Sequence, residues 1–401
     1  MPRVSASAFR NCYRWLVNDR IPTLALVGVG GFGKQHLINI ERLARLGRAR
    51  LAALVSGSGV GQLRGAVAPE VLALAESVEV HRTLDDLLAA GPAPDVIIVS
   101  TPIHTHADLT GKALAAGAHV VLEKPPTPGL DDFERLLAAS TRTGRMVQVG
   151  FQSFGSHALP RLAELIADGT IGELQHVGAI GTWSRSVGYF TRSGWAGKRM
   201  IGDIPVVDGV VTNPLAHAVA TALKVAGATR VEDVASVTLD QYRANRIECD
   251  DTSAVLVRTA AGRLVSLGLT LASPVQTEPR IVVYGSRGIA SLQYTRDVLE
   301  VTVDGRTTST TFGRTNLTEN LLEHLADPAV PLLCPLADTG AFTAVLEAVR
   351  TAPDPRPVPS GFVSWDERDG DVWGSIADVE RYCQQVAEQG RGFAELGAPW
   401  A

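Results

Sequence analysis

Gly28, Gly30 and Gly33 stand in the stretch GVGGFG, at a spacing that allows a tight turn, admits a pyrophosphate against bare backbone and seats a helix close on a strand. An apolar run, TLALV, precedes them, and Leu37, Ile40, Leu43, Ala44 and Leu46 follow at helical spacing. The motif therefore joins a strand to a helix whose N-terminal N–H groups and dipole would face the phosphates. The chemistry this predicts is dinucleotide binding; the plainer reading is a glycine-rich turn without a ligand. An Asp or Glu at the end of the second strand would accept hydrogen bonds from the ribose 2′-OH of NAD. Ser56 stands there instead, with Ser58 and Arg64 nearby, which suits a 2′-phosphate. NADP is thus favoured over NAD, unless the loop simply lacks the acid.

A second concentration of chemistry lies in residues 182–199, with Trp183, Arg185, Tyr189, Phe190, Arg192, Trp195, Lys198 and Arg199. Aromatic faces pack on sugar C–H surfaces, and arginines bind hydroxyls or an anionic group. The same composition also suits a loop packed on another subunit. His104 and His106 form an H-x-H pair with no evident third ligand, so no metal is expected. Cys12, Cys249, Cys334 and Cys383 are far apart with no CxxC pair, which points to a reduced, cytoplasmic protein.

The elements that must position these residues change character along the chain. From Thr23 to Gly150, five apolar runs (TLALV, RLAALVSG, DVIIVSTP, HVVLEKP, RMVQVGFQ) alternate with helical patterns. That alternation predicts a parallel sheet covered on both faces. Thr127 reads as an N-cap with Pro128 at the first helical position. From about Glu232 to Thr311 the texture is hairpin-like, with AAG and SRG as turns. Residues 317–350 return to helix, and the Pro-rich TAPDPRPVPSG leads to a tail.

On GVGGFGKQH, Thr101-Pro102 with His106, ALAAGAHVVLEKP, VQVGFQ and AELIADGTIGEL, the chain resembles the Gfo/Idh/MocA oxidoreductases, the glucose–fructose oxidoreductase and inositol dehydrogenase group. DDTSAVLVRTAAGRLVSL, IVVYGSRGIASLQY and GFAELGAPW extend the resemblance to Trp400. It implies hydride transfer between nicotinamide and a secondary hydroxyl, or the matching ketone, of a sugar or cyclitol. It places Gly28, Gly30, Phe32, Gly33, Thr101, Pro102, His106, Glu123 and Lys124 at the cofactor. Lys124 would polarise or donate to the reacting oxygen, a role that suits an amine whose pKa shifts on desolvation, with Glu123 bracing it. The plain alternative is a surface ion pair at a strand end. Pro102 and Pro125 are candidates for cis peptides. His217 matches the family's catalytic histidine, an imidazole able to take the hydroxyl proton, although a structural helix histidine is the competing reading. Four residues earlier the family commonly has an acid, whereas this chain has Asn213. Asn213 can hydrogen-bond substrate but cannot carry charge. Substrate contacts are expected from Gln152, Trp183, Arg185, Trp195, Asn213 and His217.

Composition bounds the whole. The chain has 401 residues, 45% hydrophobic and 20% charged, with a net charge of -5. This allows a large core, suits two domains and argues against a nucleic-acid or membrane-surface partner. The expected fold is α/β. Residues 1–20 are an extension and 21–150 a Rossmann dinucleotide-binding domain. Residues 151–360 are an α/β domain with a large open, mostly antiparallel sheet, and 361–401 a helical tail. An open sheet face needs cover, so a homodimer or homotetramer is expected. Three other functions fit the same residues: a transient-redox sugar-modifying enzyme, a non-catalytic NADP-binding metabolite sensor, and an oligomeric scaffold.

Overall fold

The computed structural model describes residues 20–401, so all but the last residue of the expected extension lies outside the described residues. The chain forms two units. The first comprises the residues up to Thr127, Asp131–Gly150 and Asn316–Leu336; the second comprises the rest.

In the first unit six parallel strands are β1 (Thr23–Val27), β2 (Arg50–Val55), β3 (Glu79–His81), β4 (Val96–Val99), β5 (His119–Leu122) and β6 (Val147–Val149). Their order is β3-β2-β1-β4-β5-β6, so the direction of winding reverses between β1 and β4. Every residue of β1 and β4 is buried, as expected of parallel strands covered on both faces. Leu37, Ile40 and Leu43 of the Gly33–Arg45 helix pack with Leu24, Leu26, Leu54 and Ile98 in one core. Two elements escape the sequence pattern: the three-residue edge strand β3 and the Pro69–Glu76 helix. The helix after β5 begins at Leu130, two residues beyond Pro128.

The expected boundary at Gly150 needs one correction. Asn316–Leu336 returns to the first unit. The Leu317–Ala326 helix, capped by the Asn316 side chain, puts Leu321 and Leu322 into the first core. Gln148, wholly buried on β6, holds it: its amide donates to Asn320 Oδ1 at 2.6 Å and accepts from the Cys334 N–H at 3.0 Å. A buried amide needs partners, and here they come from far along the chain.

His119 on β5 accepts the Met146 N–H at Nδ1 (3.0 Å). Burial, reinforced by the Arg145 guanidinium, lowers its pKa to about 4. A depressed histidine binds its proton less readily folded than unfolded. Its contribution is therefore complete above the unfolded pKa near 6.5 and is lost as pH falls towards about 4. Discounted for partial exposure, the loss is roughly 2 kcal/mol. Urea midpoints of wild type should fall between pH 7 and pH 4.5 by more than those of His119→Asn, which keeps an acceptor for Met146. Parallel pH dependences would refute this.

The second unit is built on a nine-stranded sheet. Its strands are β7 (Leu174–Thr182), β10 (Val234–Arg243), β11 (Thr252–Thr259), β12 (Leu264–Thr270), β13 (Arg280–Gly285), β14 (Gly288–Gln293), β15 (Val298–Val303), β16 (Arg306–Thr311) and β17 (Arg356–Pro357); β8 (Met200–Ile201) and β9 (Ile204–Pro205) pair separately. Most neighbours are antiparallel; β7 with β12 and β10 with β17 are parallel. The tail is not simply helical: a hairpin of β18 (Val363–Arg368) and β19 (Asp371–Ile376) precedes the Val379–Gln389 helix. That helix lies directly on the sheet. A Cβ added to Gly268 would stand 2.1 Å from the Cys383 carbonyl oxygen, which explains glycine in the middle of β12. Trp400 closes the layer, its ring 5.3 Å from Tyr242 and 4.9 Å from Phe393. Over β7 and β12 the chain thus covers its own sheet, which removes there the argument for an oligomer.

Candidate active site

Each unit carries one constellation. In the first, Gly28 has φ +90°, and a Cβ there would meet the Ser100 carbonyl oxygen at 2.3 Å. A Cβ on Gly33 would stand 2.1 Å from the Gly28 oxygen, so the helix start rests on the turn itself. The helix has neither a capping side chain nor an acidic residue in its first turn, so its first turn carries no group that offsets its positive end. Beside it lies a cavity of about 480 Å³ whose lining includes Gly28, Gly30, Ser56, Ser58, Arg82 and Thr101. A glycine cradle, an uncapped helix N-terminus and a cavity of this size fit a dinucleotide.

The wall corrects one expectation. Arg64 points to Glu76 at 3.2 Å and does not line the cavity; the wall's arginine is Arg82, just after β3. Ser56 donates its proton to the Gly59 carbonyl at 2.7 Å. Ser58 accepts from Gln62 at 3.1 Å and keeps a proton to donate. Thr105 donates to the Pro102 carbonyl (2.7 Å), so Thr101 must be the donor in their 2.6 Å contact. Phe32 is half exposed, its ring edge against His36.

Glu123 and Lys124 follow β5 at the same strand ends as the glycine turn. They are not a surface ion pair. Glu123 is buried: one carboxylate oxygen bonds His36 Nε2 at 2.8 Å and the other accepts the Lys124 N–H at 3.2 Å. A Cβ on Gly150 would come within 2.9 Å of that carboxylate, so glycine makes room for it. Glu123 therefore fixes the backbone that carries Lys124. The Lys124–Pro125 peptide is cis and the peptide before Pro102 is not. His106 does not face the cavity. It is buried, with Nδ1 2.8 Å from the Pro125 oxygen and Nε2 2.8 Å from the Thr101 oxygen, and it ties the two loops together. Burial lowers its pKa by more than the two carbonyl oxygens raise it.

In the second unit the helix starts at Ala216, so His217 is its second residue and Asn213 lies in the turn before it. Asn213 and His217 are therefore related by turn geometry and not by a shared helical face. His217 Nδ1 lies 3.4 Å from Ser153 Oγ, and its ring meets Phe151 edge-on and Tyr294 nearly parallel. Ser153 in turn accepts from Thr221. Asn213 Nδ2 donates to Asp208 Oδ1 at 2.5 Å. An acid is thus bonded to Asn213, which spacing along the chain does not reveal. Gln152 opens a short 3-10 turn, half-buried.

Residues 182–199 form a stacked series. Arg185 lies over Trp183 (4.8 Å) and Tyr189 (5.1 Å); Arg192 lies over Tyr189 (3.7 Å) and Trp195 (4.8 Å). These cations already have aromatic partners. Arg199 donates to the Arg350 and Ala352 carbonyls at the end of the Gly340–Thr351 helix, a capping role. A cavity of about 740 Å³ lies alongside, lined by Phe190, Lys198, Arg246, Ile247 and, from the tail hairpin, Trp365. Trp183, Arg185 and Trp195 do not line it.

Comparison with known proteins matches residues 23–151 to the model described as the oxidoreductase family, NAD-binding Rossmann fold, and residues 160–291 to the GFO/IDH/MocA C-terminal domain. The inositol 2-dehydrogenase of Rhizobium meliloti (strain 1021) is 28% identical over 288 residues, covering 70% of this chain and 79% of that protein. The inositol 2-dehydrogenase of Leifsonia xyli subsp. xyli is 33% identical over 150 residues, covering 37% of this chain and 42% of its own length. In fold, the chain is similar to the WlbA dehydrogenase from Bordetella pertussis, in complex with NADH and UDP-GlcNAcA. That match has TM-score 0.65 and 23% identity over 82% of this chain and 95% of the other. It is also similar to the aldose-aldose oxidoreductase from Caulobacter crescentus, with TM-score 0.67 and 21% identity over 82% and 96%.

Proposed function

The chain belongs to the GFO/IDH/MocA oxidoreductase family, and on that premise we propose that it transfers hydride between a nicotinamide dinucleotide and a secondary hydroxyl, or the matching ketone, of a sugar, sugar derivative or cyclitol. The observation that carries this reading is the shared edge of the six-stranded sheet. The ends of β1, β4 and β5 bring the glycine cradle, Thr101 and the braced Lys124 to one side of the sheet.

A bound nicotinamide dinucleotide would supply the hydride acceptor for the carbinol carbon. The turn between Gly28 and Gly33 and the helix after it would hold its pyrophosphate. Lys124, its backbone fixed by Glu123, donates to the reacting oxygen and stabilises the charge that grows there. His217 takes the hydroxyl proton during oxidation and returns it during reduction, with Ser153 and Phe151 setting its ring. Fluorescence titration with NADPH and NADH, repeated with inositol and UDP-GlcNAcA, tests the reading. Binding that a sugar or cyclitol alters supports it. Folded, dinucleotide-free protein that binds neither cofactor overturns it.

NADP is the cofactor we favour, because Ser56 replaces the ribose-binding acid and Arg82 lines the wall. Ser56→Asp should weaken NADPH about tenfold relative to NADH by setting a carboxylate against the 2′-phosphate. A wild type that binds NADH more tightly than NADPH refutes the preference.

A further inference from the structure

We propose that Asp208 is a positioning residue that locks the Asn213 amide with its nitrogen inward, so that Asn213 offers substrate a hydrogen-bond acceptor where the family pattern has a carboxylate. The inference rests on reading Asn213 as a residue that faces substrate.

The orientation follows from donor chemistry. An ionised carboxylate only accepts hydrogen bonds, so the Asn213 atom 2.5 Å from Asp208 Oδ1 is the NH2. The amide oxygen is then turned away from Asp208. The carboxylate is itself held from behind: Oδ2 accepts the Gly197 N–H at 2.8 Å and lies 3.5 Å from the Arg192 guanidinium, with Asp208 only 5% exposed. Its backbone is strained. Val207 is β-branched and buried, yet has φ 47°. The strain is held by Asp208 N–H to the Lys198 carbonyl (2.9 Å), by Val207 N–H to the Arg199 carbonyl (3.2 Å), and by the Thr212 hydroxyl bonded to the Val207 carbonyl. Gly209 packs on Asp250 so closely that a Cβ there would lie 1.8 Å from Oδ1. Strain maintained by this many contacts marks a position whose geometry matters.

The pair separates charge from polarity: charge stays at 208, and an uncharged acceptor stands at 213. Three variants follow. In Asp208→Asn the new amide keeps its oxygen on the Gly197 N–H and turns its NH2 towards 213. Asn213 must then rotate and present its donor to substrate. In Asn213→Asp two carboxylates stand at hydrogen-bond distance and cannot both ionise, so the pair holds one proton to higher pH. In the double exchange, Asp208→Asn with Asn213→Asp, the amide donates to the carboxylate and the 208–213 hydrogen bond is restored with the roles reversed, while Arg192 loses its anion at 208. The other ionisable groups around the pair are Arg192, Tyr189, Cys249, Asp250 and His217, and they are common to all four proteins.

The experiment measures urea unfolding of the four full-length proteins from pH 5 to pH 8, titrations with NADPH and NADH, and steady-state oxidation of inositol and UDP-GlcNAcA with NADP and with NAD. Asn213→Asp should lose stability with rising pH relative to wild type, and the double exchange should not. On the probe that is oxidised, Asp208→Asn should raise KM by about tenfold with a smaller effect on kcat, the double exchange recovering most of that loss. Asn213→Asp unfolding that parallels wild type at every pH overturns the pairing. An unchanged KM in Asp208→Asn overturns the role. Failure of wild type to bind either NADPH or NADH, or to oxidise either probe, counts against the proposed function instead, and the unfolding comparison still decides whether Asp208 and Asn213 are coupled.

Discussion

Lys124→Ala is expected to lower hydride transfer by about 10²- to 10⁴-fold, the range for loss of a positioned acid–base group, while dinucleotide affinity stays within about threefold. The separation is built into the structure. The glycine turn proposed for the pyrophosphate is closed by its own contacts, Gly28 against Ser100 and Gly33 against Gly28, and none involves the lysine side chain. Lys124 is placed through its backbone N–H by a carboxylate whose other oxygen is bonded to His36. Truncating the side chain therefore leaves the brace intact and removes only the ammonium. Lys124→Arg should fail almost as badly, because guanidinium is broader and flatter than the compact ammonium it replaces. Single-turnover rates with NADPH fluorescence separate binding from chemistry. Turnover near wild type in Lys124→Ala would remove the residue from the mechanism; loss of cofactor binding in step with rate would make it a structural residue.

The parts of this site that are legible in the sequence are those in which chemistry and chain order coincide. The glycine turn is written in six consecutive residues, and strand, turn and helix follow in order, so the order of residues alone places Gly28, Gly30 and Gly33. Lys124 follows from a short motif at a strand end. What escapes the sequence depends on pairings between distant segments, or on elements too short to show a period. His36 falls within the glycine motif, but its bond to Glu123 spans 87 positions. Gln148 anchors a helix that begins at Leu317. Both are buried polar groups, and periodicity reports apolar burial while saying nothing of which polar group will meet which. Sequence favours Arg64 over Arg82 because β3 has three residues and no alternation to reveal that it ends at the cavity. The tail hairpin is hidden by its exposure: five of the six residues of β18, Ser364 to Arg368, face solvent. Asp208 is the most instructive case. Its spacing from Asn213 fits no helical face, and only the turn before Ala216, with Val207 in the left-handed region, brings the two side chains together.

His217→Asn should lower kcat/KM by about 10²- to 10³-fold and change the shape of the pH profile. The sign follows from the proton's direction. In alcohol oxidation the imidazole must enter neutral to take the hydroxyl proton, so wild-type oxidation should fall as acid protonates the ring. In ketone reduction the ring must enter protonated, so that rate should fall as pH rises. Asparagine carries no titrating nitrogen, and both limbs due to the ring should vanish, leaving a slow and flatter profile. A structural histidine would behave differently. The ring is held by Ser153 at 3.4 Å, the Phe151 edge and the Tyr294 face, so a packing role would show as lost stability with the pH limbs retained at reduced rate. Ser153→Ala offers the intermediate case: it removes one of the ring's partners and leaves the ring in place, so the limbs should persist with a rate loss smaller than that of His217→Asn. Because Asp208 lies behind Asn213, the double exchange at 208 and 213 moves the carboxylate from nine to four residues before His217 along the chain. A nearby anion favours imidazolium, so that variant should carry the oxidation limb to higher pH than wild type. A limb that moves with the charge at 213 and disappears with the imidazole at 217 can come only from a histidine that handles the substrate proton beside that position.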